Sequence, residues 1–191
     1  VHSARYLDEL AATQPTEGLV SLDPDTWMGR HSFDAALHSA GAVVRAVDLV
    51  LGGEESSAFC LIRPPGHHAD RDKAMGFCLL NNVAIGASHA LEGHGLARVA
   101  IADFDIHQGN GTEALLRGDA RVLVCSTYQH PFYPFGSQEP AENIVRVPLV
   151  QGTSSSALRE ALEIAWLPAL RNFSPELLMI SAGFDGHAED G

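Results

Sequence analysis

The chain has 191 residues, 46% of them hydrophobic and 19% charged, which is typical of one globular domain with a buried core. Its 12 Lys and Arg residues against 24 Asp and Glu residues give a formal net charge of −12, which argues against direct binding of a nucleic-acid backbone. No apolar run approaches the roughly 20 residues of a membrane helix, and Cys60, Cys78 and Cys125 lack a CxxC spacing, which predicts buried, reduced thiols in a cytoplasmic protein.

The first quarter of the chain predicts two helices separated by a loop. Residues 1–31 predict a short helix over residues 4–10, because prolines and glycines interrupt the rest of this segment. From Ser32 to Leu51, apolar residues recur every three or four positions. This spacing predicts an amphipathic helix whose N-terminal cap is Ser32.

A short apolar run precedes the first pair of candidate catalytic side chains. Residues 58–62 predict a buried strand, since they are apolar and short. The Pro-Pro-Gly sequence that follows excludes a helix. His67 and His68 therefore come soon after the end of this predicted strand.

Strands and helices alternate through the rest of the chain. Apolar runs predict strands over residues 98–102, 121–127, 143–149 and 177–181. Helical periodicity predicts helices over residues 82–91, 112–116 and 154–170, with Pro168 ending or kinking the last one. Because the strands are continuously apolar, we expect an α/β fold with a central parallel sheet and helices on both faces.

Chemically reactive side chains cluster at the predicted strand ends. In chain order they are His67 and His68, then Asp103, Asp105 and His107, then Ser126 and Thr127, and finally Asp185. In open parallel sheets, binding sites form beyond the carboxyl ends of the strands. We therefore expect these side chains to converge on one cleft.

Asp105, His107 and Asp185 are the predicted metal ligands. Asp103, Asp105 and His107 alternate, and alternate residues of an extended chain point the same way. Two carboxylates and one imidazole leave a coordination position open for water, which is typical of catalytic zinc, while ferrous iron and cobalt suit the same donors. The alternative interpretation is that the carboxylates only cap a turn and that His107 is a core histidine.

The tandem histidines predict an acid–base pair. Asp103 is ionised and is a candidate partner of His67, whereas the neutral Asn110 is a candidate partner of His68. Different partners allow the two imidazoles to have different protonation states. Two further predictions follow from neighbouring residues. Oxygen atoms near the strand ends would suit a potassium ion, and the residues concerned are Asp103, Asp105, His107, Ser126 and Thr127. A narrow channel for an aliphatic chain would be lined by Gly76-Phe77 and residues 132–134.

Five segments together resemble the zinc-dependent histone deacetylase family. They are residues 63–68, 75–78, 81–82, 103–111 and 181–185. The similarity covers residues 22–190 and is closest to the class II branch and to the bacterial deacetylase-like and acetylpolyamine amidohydrolases, because Asn110 stands where class I members have an aspartate.

The resemblance implies a three-layer arginase/deacetylase fold and a single deacetylase domain over residues 1–191. It implies hydrolysis of an N-acetyl amide on a lysine side chain or on a polyamine. The implied Zn²⁺ ligands are Asp105, His107 and Asp185, and the implied proton-transfer groups are His67 with Asp103 and His68 with Asn110. The first implied K⁺ site falls on Asp103, Asp105, His107, Ser126 and Thr127, and a second on main-chain oxygens near Leu116, Asp119, Val122 and Asn143.

The resemblance also assigns the substrate contacts. It implies that Phe77, after Gly76, and Tyr133 form the channel walls and that Asp25 contacts the substrate at the rim. Family members have a further tyrosine or histidine in a glycine-rich loop after the position of Asp185, so we expect the domain to be incomplete at its C-terminus, and at its N-terminus as well.

Two other functions stay open. One is a metal-containing protein that binds acylated amines without hydrolysing them, and the other is an arginase-like hydrolase with two metal ions. The presence or absence of the downstream tyrosine would distinguish a deacetylase from the binding protein. The number of metal ions per chain would distinguish it from the arginase-like hydrolase. A homo-oligomer is compatible with the sequence, and a membrane partner is not expected.

Overall fold

The computed structural model describes residues 1–190, which form five helices and six strands. In chain order the elements are α1 (Ala4–Thr13), β1 (Leu19–Asp23), β2 (Thr26–Gly29), α2 (Ser32–Leu51), α3 (Asn82–Glu92), β3 (Val99–Asp103), α4 (Asn110–Leu116), β4 (Val122–Gln129), β5 (Ile144–Leu149), α5 (Ser155–Phe173) and β6 (Leu177–Ser181). Most of these elements agree with the sequence prediction to within a few residues.

The central sheet has four parallel strands in the order β5-β4-β3-β6. Its central strand β3 is buried along its whole length. Asp103, the last residue of β3, pairs in register with Ser126 of β4 and Ser181 of β6. The carboxyl end of β3 therefore lies next to polar residues of both neighbouring strands.

Helices cover both faces of this sheet, as predicted. On one face, Ala84 and Ala87 of α3 belong to a core cluster with Val99 and Ile101. On the other face, Trp166 of α5 packs in a second cluster, and the sheet residues of that cluster are Ala100, Ala102, Leu123 and Cys125. The alternating side chains of β3 thus serve two cores, because successive residues of a strand point to opposite faces.

The predicted strand over residues 58–62 is wrong. The segment has no regular secondary structure and pairs with no other strand in the described chain, and Phe59 and Leu61 are 76% and 91% exposed. Apolar composition is not enough for a strand, which also needs a neighbour to bond its backbone. Cys60 in this segment is only half-buried, whereas Cys78 and Cys125 are buried as predicted.

The predicted loop over residues 11–31 contains an antiparallel hairpin of β1 and β2, which the sequence analysis missed. Ser32 is also not the cap of α2. It is the first helical residue, and its hydroxyl accepts a hydrogen bond from the Gly29 N–H. Pro168 lies inside α5, which continues to Phe173. Among the described residues, no helix combines the length and the apolar character needed to cross a membrane.

Candidate active site

The chain turns sharply after β3 and keeps its polar side chains together. The Asp105 N–H donates to Asp103 Oδ1 at 3.2 Å, and the His107 N–H donates to Asp105 Oδ1 at 2.8 Å. Asp103 is only 1% exposed. A buried carboxylate requires compensating hydrogen bonds or charges, and here main-chain donors supply part of that compensation.

Asp105, His107 and Asp185 lie together, as the metal-site hypothesis requires. His107 Nδ1 lies 3.0 Å from Asp105 Oδ1 and 2.9 Å from Asp185 Oδ2. One ligand atom from each residue falls within 4.8 Å of the others. Hydrogen bonds to the two carboxylates raise the pKa of His107 to about 9. The cluster therefore favours a positive charge at its centre, which either a proton or a metal ion provides.

Gly183 makes room for the Asp105 carboxylate. A Cβ atom built at this position would overlap the Asp105 side chain. The segment after β3 also holds Asp185, because the Ile106 N–H donates a hydrogen bond to Asp185 Oδ1 at 3.3 Å. The segment after β6 thus packs directly against the segment after β3, and only glycine at position 183 allows this approach.

The tandem histidines have the two partners that the sequence predicts. His67 Nδ1 lies 3.0 Å from Asp103 Oδ2, and His68 Nδ1 lies 2.8 Å from Asn110 Oδ1. Their ring centroids are 4.0 Å apart. Burial disfavours the charged form of His67, but the Asp103 carboxylate outweighs it and raises the pKa. Burial and the adjacent His67 charge lower the pKa of His68 to about 3.

Asn81 connects the histidine segment to α3, a role that the sequence analysis did not assign. Its side-chain oxygen accepts a hydrogen bond from Ala84 N–H and caps α3, while its Nδ2 donates to the Ala69 carbonyl at 3.0 Å. The Thr112 N–H also donates to the His67 carbonyl at 3.0 Å. The sequence signals were the position of Asn81 directly before a predicted helix and the presence of residues 81–82 among the segments that resemble the family.

The tip of the β1–β2 hairpin fixes the Gly76-Phe77 turn. Asp25 Oδ1 accepts from the Gly76 N–H at 3.1 Å, and Thr26 Oγ1 accepts from the Phe77 N–H at 3.0 Å. Gly76 has a φ of +56°, and a Cβ there would overlap the His68 ring, so this position needs glycine for two reasons. Phe77 is 65% exposed beside this turn.

Aromatic residues of the loop after β4 pack against the site histidines. The Tyr133 ring lies edge-on to His68 and His107, with centroid distances of 5.3 and 6.0 Å. Phe132 stacks on His107 at 5.1 Å. Burial and the nearby Asp25 carboxylate raise the pKa of Tyr133, so its hydroxyl stays protonated.

The two suggested potassium sites differ in their polar atoms. Ser126 Oγ, in register with Asp103, is buried and has no hydrogen-bond partner among the described residues. Thr127 is buried beside it. At the second position, Asn143 Nδ2 donates to the main-chain oxygens of Leu116, Asp119 and Val122. These three oxygens therefore accept hydrogen bonds from an amide, whereas Ser126 Oγ still lacks a partner.

The fold and the site together define an α/β protein with candidate metal-ligand side chains and two buried histidines at the carboxyl ends of its parallel strands. The family model of the histone deacetylase domain matches residues 1–191, and the chain belongs to this family. A histone deacetylase-like amidohydrolase from Pseudomonas aeruginosa is 40% identical over 199 residues, which cover 100% of this chain and 52% of that protein.

Two solved structures show the same fold. The crystal structure of the HDA15 HD domain has a TM-score of 0.93 and 34% sequence identity, with 100% of this chain and 58% of that chain covered. The acetylpolyamine aminohydrolase from Burkholderia pseudomallei has a TM-score of 0.85 and 32% identity, with 100% and 66% covered. The chain thus spans about half to two thirds of the length of these relatives.

Proposed function

We propose that the protein is a zinc-dependent amidohydrolase that removes acetyl groups from N-acetyl-lysine side chains or from acetylated polyamines. One observation carries the proposal: a three-ligand cluster lies beside two histidines whose partners differ in charge. Hydrolysis of an amide needs an activated water and a proton for the leaving nitrogen. The family supports deacetylation, and the named relatives include both a histone deacetylase-like amidohydrolase and an acetylpolyamine aminohydrolase.

Asp105, His107 and Asp185 would hold the zinc ion. Their donor atoms suit a divalent cation, and the raised pKa of His107 is the response of an imidazole between two carboxylates. Zinc in such a site polarises an amide carbonyl and lowers the pKa of a water molecule. Asp105 and Asp185 also keep His107 Nδ1 oriented toward the cluster.

His68 is the proposed proton acceptor. Its Nδ1 donates to Asn110 Oδ1, so its Nε2 is left with a free lone pair. Because its pKa is lowered to about 3, the ring is neutral near pH 7 and can accept a proton from the attacking water. The same Nε2 then gives this proton to the amine as the carbon–nitrogen bond breaks, which yields acetate and the free amine.

His67 is the proposed cationic partner. Its Nδ1 hydrogen bonds to Asp103, whose carboxylate favours the imidazolium form. A fixed positive charge beside the reacting carbonyl stabilises negative charge that develops on its oxygen. Asp103 thus acts by holding His67 in orientation and charge.

The proposed substrate contacts lie on both sides of the cleft. Gly76 and Phe77 form one channel wall and Tyr133 the other, while Asp25, fixed by the Gly76 N–H, would meet the substrate at the rim. A potassium ion near Asp103, Asp105, His107, Ser126 and Thr127 would give the buried Ser126 hydroxyl a partner and offset the adjacent carboxylates.

The described residues favour this proposal over the two alternatives. They contain one group of three potential metal ligands beside the tandem histidines, whereas an arginase-like hydrolase needs two metal ions there. A protein that only binds acylated amines does not need histidines with opposite pKa shifts. The three free thiols favour a cytoplasmic location, and the acidic charge favours acetylated protein or polyamine substrates over nucleic acid.

The test is acetate release by the zinc-loaded protein at its natural length. We expect turnover of acetyl-lysine peptides, acetylated polyamines, or both, with loss of activity after chelation and recovery after zinc is restored. Normal binding of both substrate classes without any acetate would instead support the binding-protein alternative.

A further inference from the structure

A second group of potential metal ligands lies at the other end of β3. Asp48 comes from the last turn of α2, His89 from the last turn of α3, and His94 from the turn before β3. One donor atom from each lies within 4.8 Å of the others. Since β3 spans about 13 Å between its first and last Cα atoms, this group and the candidate active site cannot share one ion.

The three side chains already point at one another. His89 Nε2 and His94 Nε2 lie 2.7 and 2.8 Å from the same oxygen, Asp48 Oδ1. The two rings are nearly perpendicular, with centroids 5.2 Å apart. Two imidazole nitrogens and one carboxylate oxygen therefore converge on a single point, although Asp48 is more than 40 residues from the two histidines in the sequence.

The turn over residues 93–96, which contains His94, allows the two histidines to approach Asp48 together. Gly93 caps α3, and a Cβ there would lie 3.0 Å from His89 Nδ1. Gly95 has a φ of +71°, which a residue with a side chain rarely adopts. Leu96 then anchors the turn, because its N–H donates to the Ala90 carbonyl and its side chain packs on the core.

We propose that Asp48, His89 and His94 form a second binding site for a divalent transition-metal ion, with zinc as the best-fitting ion. Two imidazoles and one carboxylate are common zinc donors, and nickel and copper also suit them. Zinc–ligand bonds of about 2.0–2.2 Å hold tetrahedral donors roughly 3.3–3.6 Å apart. The present distances of 2.7 and 2.8 Å thus require only a small outward movement.

The exposure of the group allows both this movement and the entry of an ion. The three side chains are between 28% and 37% exposed, so the fourth coordination position faces solvent and suits water. A bound ion would join the end of α2 to the turn that leads into β3. We therefore expect this site to stabilise the fold without contacting substrate.

Metal analysis of matched variants tests the proposal without using turnover. Metal-free wild-type protein, His94→Gln, His89→Gln and the control His38→Gln are dialysed against zinc, and bound zinc per chain is measured. We expect wild type and His38→Gln to bind one ion more than either cluster variant. Equal zinc content in all four proteins would overturn the proposal and leave Asp48 as a hydrogen-bond acceptor only.

A spectroscopic measurement on the wild-type protein needs no substitution. Zinc should shift the ¹⁵N resonances of the His89 and His94 imidazoles at stoichiometric addition, because the metal replaces the Nε2 proton. The His38 resonance should not move. Unchanged His89 and His94 resonances when the protein is saturated with zinc would refute the site even if a variant failed to fold.

Discussion

At the level of single residues, His67 and His68 have ring centroids 4.0 Å apart but opposite pKa shifts, and the groups at their Nδ1 atoms differ. Asp103 is a charged partner and Asn110 a neutral one. The sequence predicted both pairs. It did not show how strongly burial would lower the pKa of His68, because burial depends on the packing of loops that are distant in sequence.

Replacing Asn110 with aspartate should remove much of this contrast. A carboxylate at His68 Nδ1 stabilises the imidazolium form, so the pKa of His68 should rise by at least about one unit. The acid limb of the kcat/KM profile should then move to higher pH, and NMR titration of His68 should show the same shift. An unchanged acid limb would contradict the assignment of His68 as the proton acceptor.

Gly183→Ala should displace Asp105, since the added Cβ overlaps its carboxylate. We expect zinc affinity to fall by at least about tenfold, similar to the loss of other groups that orient metal ligands. Gly186→Ala is the matched control, because its Cβ would meet only Ile106 Cβ at an ordinary 3.7 Å. Equal zinc affinity in the two variants would show that Gly183 does not support the metal site.

At the level of elements, Asn81 joins the start of α3 to the segment that contains the histidines. Asn81→Ala removes the helix cap and leaves the buried Ala69 carbonyl without its donor, so we expect a loss of about 2 kcal/mol in the free energy of unfolding. Asn81→Ser keeps a capping oxygen and should recover part of that loss. Urea denaturation measures the stability of both variants. A denaturation midpoint of Asn81→Ala equal to that of wild type would contradict the role of Asn81 in joining α3 to the histidine segment.

Glu176 links the segment before β6 to the start of β3. Hydrogen bonds from the N–H groups of Arg98 and Ala97 lower the pKa of Glu176. A lowered folded-state pKa means that the stabilisation is present above the unfolded-state value and is lost as the pH falls through the folded-state value. Glu176→Gln should thus be less stable than wild type at pH 7. The difference should begin to shrink as the pH falls below the ordinary glutamate pKa of about 4.3 and should close below the lowered folded-state pKa.

Denaturation midpoints measured across this pH range test the Glu176 prediction. Glu160→Gln is the control, since Glu160 is an exposed residue of α5. A constant difference between wild type and Glu176→Gln at every pH would mean that charge plays no part in the link.

The strands could be predicted from continuous apolar sequence. Residues 98–102, 121–127 and 177–181 are apolar runs of this kind, and they correspond to β3, β4 and β6. β3 and β4 are buried on both faces, whereas Leu178 and Ile180 leave one face of β6 exposed in the described chain. Residues 58–62 have a similar apolar composition but no pairing neighbour among the described residues, and the β1–β2 hairpin lies in a segment whose prolines and glycines predicted a loop. Strand pairing is a tertiary property that a local pattern does not contain.

The two candidate metal sites also differ in how far a local sequence pattern could predict them. Asp105, His107 and Asp185 could be found because each follows an apolar run, and strand ends of a parallel sheet converge. Asp48, His89 and His94 lie on two helices and a turn. No strand-end rule brings them together, and their contact depends on how α2 packs on α3.

At the scale of the whole molecule, the two groups of candidate metal ligands lie toward opposite ends of β3. A total of two zinc ions per chain would therefore not indicate a binuclear active site. Counting zinc in His94→Gln separates two single-ion sites from one binuclear site. With two single-ion sites we expect one ion to remain, bound by Asp105, His107 and Asp185. Two remaining ions would instead favour the arginase-like alternative.

The most direct test of the account is single-turnover acetate release by wild type and by His68→Gln, both loaded with zinc and saturated with an acetylated substrate. We predict that His68→Gln keeps its zinc and binds substrate but releases acetate at least about a hundredfold more slowly, the typical contribution of a general base. Acetate release by His68→Gln at the wild-type rate would contradict the proposed mechanism, and a wild-type protein that binds substrate but releases no acetate would contradict the proposed function.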